Sequence, residues 1–369
     1  MFELSEPREG GRVFVSGAIT AENVERVVEA VQGTDTTELD FSGVSSIQLA
    51  AVRALMNARH DQNAFCVVNA TPAIALLLHE TGFASTISVL REFEEYDMTG
   101  TVEFGGGHNA VSYWSADGDC MIKLYKETAP ESEPQCEMRY SSKVLNMGIP
   151  TPIASKLIKV GGRKGVIFEK VKGKKSLSRL IADDPQNIGA YVNRLVDMAK
   201  LLHSTPCDTA VFPSQIERLL SINASLECFD AAEKAKIDAA INKIEPQTVC
   251  CHGDLHIGNV IVTPAGESLL IDLPDFCYGN PLMDLGALYF ACHYLDEALA
   301  DELYHVSLDT MARVWDLFAA GYFGADTSEK LAAVDEQIKP YAALQALPWL
   351  VHGVDEHLMG VMHANLLDL

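Results

Sequence analysis

Two short runs, Cys251-His-Gly-Asp-Leu-His-Ile-Gly-Asn-Val260 and Ile271-Asp-Leu-Pro-Asp275, gather the oxygen-bearing side chains best suited to chemistry. Phosphoryl transfer to a hydroxyl needs an acceptor for the hydroxyl proton and a cation that neutralises charge on the transferring group. Asp254 is placed to take that proton or to orient the nucleophile. Asn259, five positions on, can reach a metal from the far end of the same loop. After Asn259 the run Val-Ile-Val reads as a strand, Pro264-Ala-Gly-Glu267 as a turn, and Ser268 to Asp272 as a returning strand. Such a hairpin predicts Asp272 beside Asn259, two oxygen ligands for Mg²⁺, which keeps waters and substrate phosphates in its other positions. His256 reads as a packing or polar loop residue, and Asp275 equally as a structural acid or as one facing the substrate or a second metal.

Upstream come the elements that would position a nucleotide. Two strand-like runs between Thr101 and Trp114 flank Gly105, Gly106 and Gly107, where backbone N–H groups can approach phosphate oxygens. The strand Cys120-Met-Ile-Lys-Leu-Tyr125 places Lys123 among apolar neighbours as a phosphate partner, with Lys126 as its rival. A helix over 134–147 brings Glu137, or alternatively Glu133, as an ion-pair partner for that lysine, and Gly148 ends it. The strand Gly165 to Glu169 leads through Val171 into a helical region, where an adenine ring can bond to backbone at Glu169 and Val171. The helix containing Leu195 to Ser204 is expected to pack beneath the Asp254 loop.

With these motifs, residues 101–365 resemble the aminoglycoside phosphotransferase and choline-kinase-like superfamily, two-lobed relatives of the protein kinases. His252 to Asn259 matches its HGDxxxxN motif, Ile271 to Asp275 its metal-binding segment, and Gly279 to Leu288 the stretch whose Asp, here Asp284, braces the catalytic loop. The resemblance implies Asp254 as catalytic base, Asn259 and Asp272 as magnesium ligands, and Lys123 with Glu137 at the phosphates. It implies Gly105, Gly106, Gly107, Glu169 and Val171 around ATP or GTP, and His252 orienting the loop. Ile257 stands where the family commonly has Pro and Asn280 where it has Asp; neither change removes a reacting group. The phosphate loop lacks GxGxxG and is the poorest match. The superfamily's acceptor lies between the catalytic Asp and the C-terminal helices, where Asp296, Glu297, Asp301, Asp355 and Glu356 read either as an amine pocket or as solvent faces. His352, His357 and His363 fall on different helical faces and make no zinc site.

In front of this region the chain alternates strands and helices. Arg12 to Gly17 reads as a strand and Thr20 as the cap of a helix with Val24, Val27, Val28 and Val31 on one face. Strands over 37–44 and 65–69 follow, with helices over 48–57 and from Thr71, the last capped by Gly82. Residues 10–90 resemble the STAS family, the anti-sigma-factor-antagonist fold. Its phospho-switch members carry Asp-Ser where Gln48 and Leu49 stand here, and leucine has no hydroxyl to phosphorylate. The resemblance implies a docking or self-association module.

The formal net charge of -23 over 369 residues argues against nucleic acid and anionic membrane as partners. Nine cysteines without CxxC spacing, no basic-then-apolar leader and no membrane-length apolar run point to a cytoplasmic protein. The fold class expected is an α/β STAS-like domain over 1–92, a linker over 93–100, and an α+β kinase-like domain with lobes at 101–172 and 173–369. The function expected is ATP- and Mg²⁺-dependent transfer of the γ-phosphate to a hydroxyl of a small molecule such as an aminoglycoside, amino sugar or amino alcohol. The alternative is a regulatory protein kinase or nucleotide-binding scaffold signalling through the STAS-like domain.

Overall fold

The computed structural model describes residues 2–5, 11–32, 38–58, 65–81, 83, 88–90, 93–106, 110–129, 132–352 and 356–369. The chain divides into two compact units, one of Met1–Ala116, Ile122–Gln135 and Lys156–Ile167, the other of Asp117–Met121, Cys136–Ser155 and Phe168–Leu369.

In the first unit the strands Glu3–Leu4, Arg12–Ile19, Glu38–Ile47, Cys66–Val68 and Ser88–Leu90 form one sheet in that order. The first pair is antiparallel and the rest are parallel. Parallel neighbours need crossovers, supplied by the helices Val24–Gln32, Leu49–Ala58 and Pro72–Glu80. Val24, Val27, Val28 and Val31 are buried together with Leu39, Phe41, Leu55 and Leu78, each such burial contributing about 1.5–3 kcal/mol. The first helix starts at Val24, later than a Thr20 cap predicts. Asn23 accepts the Thr20 N–H at 2.8 Å and donates to the Ala18 carbonyl at 2.9 Å, which closes a turn before the helix begins. Gly82 lies outside the described residues.

At the switch position of the STAS-like region, Gln48 donates its N–H to the Ile19 carbonyl at 2.9 Å and accepts the Ala21 N–H on Oε1 at 3.0 Å. Leu49 opens the following helix with 64% of its surface exposed.

A second sheet has the order Glu94–Glu95, Ala154–Val160, Arg163–Glu169, Cys120–Tyr125, Ala110–Trp114, Val102–Gly106. The segment read as a linker therefore contains a strand. Glu94 and Glu95 pair in parallel with Ile158 and Lys159, and their carboxylates meet Lys156 at 3.1 Å and Lys159 at 3.2 Å. Acidic residues that look solvated in sequence thus have basic cross-strand partners.

The second unit is largely helical, with helices Leu177–Asp183, Ile188–Ser204, Gln215–Ser225, Ala231–Ile241, Pro281–His293, Glu297–Tyr304, Leu308–Phe323, Ser328–Leu344, Ala346–His352 and Glu356–Leu367. The residues from Met283 to Cys292 are all buried, the pattern of a helix packed on every side. Ser214, Asp230, Asn280, Asp296, Ser307 and Thr327 cap their helices through side-chain oxygens. Asp296 is thereby engaged, and Glu297 accepts the Leu308 N–H at 3.1 Å, so neither is simply an amine-facing acid. No described helix is long and apolar enough to cross a membrane.

Candidate active site

Two strand pairs bring the motif loops together. Val249–Cys251 runs antiparallel to Cys277–Gly279, with Cys251 opposite Cys277, and Val260–Val262 runs antiparallel to Ser268–Leu270. The first strand of each pair bounds the loop 252–259 and the second bounds the loop 271–276, so both ends of the two loops are tied side by side. The hairpin continues one residue further, the Ile271 N–H donating to the Asn259 carbonyl at 2.9 Å. Asp272 follows immediately, and its φ of 64° is a left-handed conformation that few residues other than glycine, asparagine and aspartate adopt readily.

The His-Gly-Asp turn is locked from three directions. Asp284, 0% exposed on the buried helix, accepts the His252 N–H at 2.7 Å and the Gly253 N–H at 2.8 Å, and lies 3.2 Å from His203 Nε2. His203 comes from Ile188–Ser204 and its other ring nitrogen meets the Tyr322 hydroxyl at 2.8 Å. Gly253 has φ 86°, and a Cβ there would stand 2.3 Å from the Asp275 carbonyl oxygen, so glycine is obligatory. His252 is fully buried, its Nε2 2.9 Å from the Ile271 carbonyl, while its Nδ1 accepts the Asp254 N–H at 3.3 Å. A carbonyl only accepts and an amide N–H only donates, so His252 is the Nε2–H tautomer with both nitrogens engaged. It ties one loop to the other and has no nitrogen left for proton chemistry.

The Asp254 side chain is 40% exposed. Burial pushes its carboxyl up, but the His256 imidazole beside it, then His252 and the hydrogen bond from Asn259, outweigh that and hold it at about 2. It is therefore an ionised acceptor at neutral pH. Asn259, 6% exposed, donates from Nδ2 to the Asp254 carbonyl at 2.9 Å and lies 3.3 Å from its Oδ2. With the nitrogen so committed, Oδ1 is the end of that amide that suits a cation. Asn259 and Asp272 thus offer hard oxygens, and no group of three or more His, Cys, Asp or Glu with metal-holding geometry occurs among the described residues. That donor set fits Mg²⁺ completed by phosphate and water better than a closed zinc site.

Asp275 forms an ion pair with Arg218, which also donates to the Asp275 carbonyl at 3.1 Å. Arg218 lies 57 residues upstream, on Gln215–Ser225. Asn280, at the position where the family commonly has Asp, accepts the Leu282 N–H at 3.0 Å as a cap and also donates to the Glu245 carbonyl at 3.1 Å, a bond an aspartate lacks. Ile257 is fully buried.

Lys123 belongs to the first unit and Glu137 to the second. Lys123 holds its ammonium 5.4 Å from the Tyr125 ring centroid, and Glu137 is 4% exposed on the helix Ser132–Asn146. Glu169 ends its strand; its N–H donates to the Ile153 carbonyl and its carboxylate accepts the Ile153 N–H, both at 2.9 Å. Val171 follows in an irregular stretch that is half-buried. Gly105 and Gly106 close the strand Val102–Gly106, whereas Gly107 lies outside the described residues. A Cβ on Gly105 would meet nothing within 4 Å, so the chain itself does not require glycine there.

Local patterns could not reveal Arg218, His203 and Tyr304. Arg218 and Tyr304 reach the loops from distant helices, at Asp275 and at the His256 ring, and His203 reaches them through Asp284. His256 reads from sequence as a packing or polar loop residue, and its pairing with Asp254 at 3.3 Å was not foreseen.

Residues 103–317, more than half of the chain, match the phosphotransferase enzyme family. The chain belongs to that family of phosphotransferases. Residues 2–91 match the family described as the Mlab STAS domain, so an α/β STAS-like domain precedes that region. No curated protein matches the chain by sequence. Among solved structures it is similar to Plasmodium vivax ethanolamine kinase, at 16% identity over 73% of this chain and 80% of that one, with a TM-score of 0.48. It is also similar to a thermostable aminoglycoside phosphotransferase mutant in its apo form, at 13% identity over 72% and 92%, TM-score 0.48. A Streptomyces rimosus aminoglycoside phosphotransferase, in complex with ADP and streptomycin, is 19% identical over 67% and 94%, TM-score 0.44.

Proposed function

We propose that the protein transfers the γ-phosphate of ATP, with Mg²⁺, to a hydroxyl of a small molecule of the aminoglycoside, amino sugar or amino alcohol kind. The observation that carries this reading is the Asp254 carboxylate, ionised, partly open to solvent and hydrogen-bonded to Asn259, on a hairpin whose return strand delivers Asp272. Asp254 accepts the hydroxyl proton. Asn259 Oδ1 and the Asp272 carboxylate would hold the magnesium, which when bound neutralises charge on the phosphates. Lys123 binds phosphate and Glu137 orients it. Gly105 and Gly106 leave room for phosphate oxygens, Gly107 is assigned to the same nucleotide site from sequence, and the backbone at Glu169 and Val171 takes the adenine. His252 and Asp284 position the loop. Asp275, held by Arg218, fixes the backbone that Gly253 leans on.

The nine free cysteines suit a reducing cytoplasm. The STAS-like domain, with exposed Leu49 where a switch hydroxyl would stand, is a docking or self-association module rather than a phospho-switch.

Thermal denaturation tests the reading. MgATP should raise the melting temperature, because a ligand that prefers the native state stabilises it. Asp272→Ala should remove the metal-dependent part of that rise. Asp254→Asn should retain it and lose transfer in a screen of hydroxyl-bearing metabolites by ATP consumption. No response to any nucleotide with any divalent cation would sink the proposal.

A further inference from the structure

The catalytic loop contains a second imidazole that the roles above leave unused. His256 Nδ1 accepts the Gly258 N–H at 3.0 Å. Because an amide N–H only donates, that nitrogen carries no proton, and the ring's proton sits on Nε2. Nε2 stands 3.3 Å from Asp254 Oδ2. It is also 3.2 Å from Asn259 Nδ2, so both nitrogens lie within reach of one carboxylate oxygen, Asp254 Oδ2. The ring is held on both sides. A Cβ on Gly258 would lie 2.8 Å from His256 Cε1, so that glycine exists to admit the ring. On the other side, buried Tyr304 packs edge-on at 5.0 Å between centroids, from the end of Glu297–Tyr304.

We infer that His256 is a positioning residue for phosphoryl transfer: its Nε2–H and Asn259 Nδ2 pin Asp254 Oδ2, which leaves Oδ1 to take the acceptor's proton. The inference rests on the phosphotransferase reading and specifies which oxygen reacts. As the acceptor oxygen bonds to the γ-phosphorus, its proton passes to Asp254 Oδ1. The bond from that phosphorus to the bridging oxygen breaks, and its electron pair leaves with ADP. A carboxylate pinned through one oxygen cannot rotate away from the incoming hydroxyl. Losing that alignment slows the chemical step without changing how ATP binds.

Two measurements on the full chain test this. In protein labelled with ¹⁵N-histidine, the long-range ¹H–¹⁵N spectrum should show His256, assigned by its absence in His256→Phe, protonated on Nε2 alone. Asp254→Ala should move that signal. A proton on Nδ1, or a signal indifferent to Asp254→Ala, overturns the inference whatever the enzyme turns over. The second measurement is ATP hydrolysis with water as the probe acceptor. His256→Phe keeps a ring for Tyr304 and Gly258 but offers no N–H, and should lower kcat about 10- to 100-fold, the worth of one hydrogen bond to a charged group. The KM for ATP should stay within about twofold, since uniform binding is untouched. His256→Gln, which restores an N–H at similar reach, should recover most of the rate. Equal kcat in all three proteins, or a loss carried by KM, overturns the positioning role alone. Absence of ATP turnover in the unsubstituted protein overturns the phosphotransfer reading and the catalytic meaning of His256 with it, whereas the spectrum still reports the loop geometry.

Discussion

Asp284→Asn probes the brace beneath the His252-Gly253-Asp254 turn. The native carboxylate is fully buried and takes two backbone N–H groups, from His252 and Gly253, at 2.7 and 2.8 Å, with His203 Nε2 at 3.2 Å. Asparagine has one acceptor oxygen and one NH₂. Whichever way it turns, at least one of those donors then faces another donor, and the remaining bonds lose their charge assistance. A hydrogen bond to a charged group is worth about 1.5–3 kcal/mol, and a buried donor left unpaired costs about 1–3 kcal/mol. Relaxation of the loop recovers part of this, so a net loss of about 3 kcal/mol is expected. For a folded unit of this size each kcal/mol moves Tm by about 2–4 °C, which places the variant about 6–12 °C below the parent. Circular dichroism melts measure it directly. ATP turnover should fall further than the unfolded fraction explains, because the His252-Gly253-Asp254 backbone is released from its brace. A melting temperature within about 1 °C of the parent would refute the assignment of these bonds as the brace.

Gly253→Ala should lower Tm by more than about 4 °C, because it combines a left-handed φ with a Cβ driven onto the Asp275 carbonyl; an unchanged melt would show that the two loops are not in contact there. Gly105→Ala meets open space and should shift apo stability by no more than about 0.5 kcal/mol, yet it should shrink the MgATP-induced rise in Tm; an undiminished rise would remove Gly105 from the phosphate site. The folded Asp254 carboxyl sits at about 2, below its ordinary 3.8, so the unfolded chain takes up the proton first as acid is added. Its stabilising contribution is complete above about pH 4 and is lost as pH falls towards about 2. Asp254→Asn should flatten that acid limb of the Tm profile, and an unaltered limb would show that the carboxyl is not held down.

Much of this was legible from local order along the chain. The valine face of Val24–Gln32 follows from helical period alone, and the hairpin joining Asn259 to the Asp272 strand follows from strand, turn and strand within a few residues. Sequence misjudged elements whose partners are remote. Glu94–Glu95 read as linker because the lysines that face them lie some sixty residues on. The first helix began late because Asn23 spends its side chain on the preceding turn.

The same division runs through the site. The spacing of His252, Gly253, Asp254, Asn259 and Asp272 was sufficient to predict that these groups sit on two adjoining loops, because the chain between them is short. Which tautomer His252 adopts, and that Asp275 is held by Arg218, were decided only by tertiary structure. The Asp275 pair depends on an arginine from a helix 57 residues upstream, and the His252 tautomer on the Ile271 carbonyl that faces it from the other loop; residue type along the chain carries no record of direction.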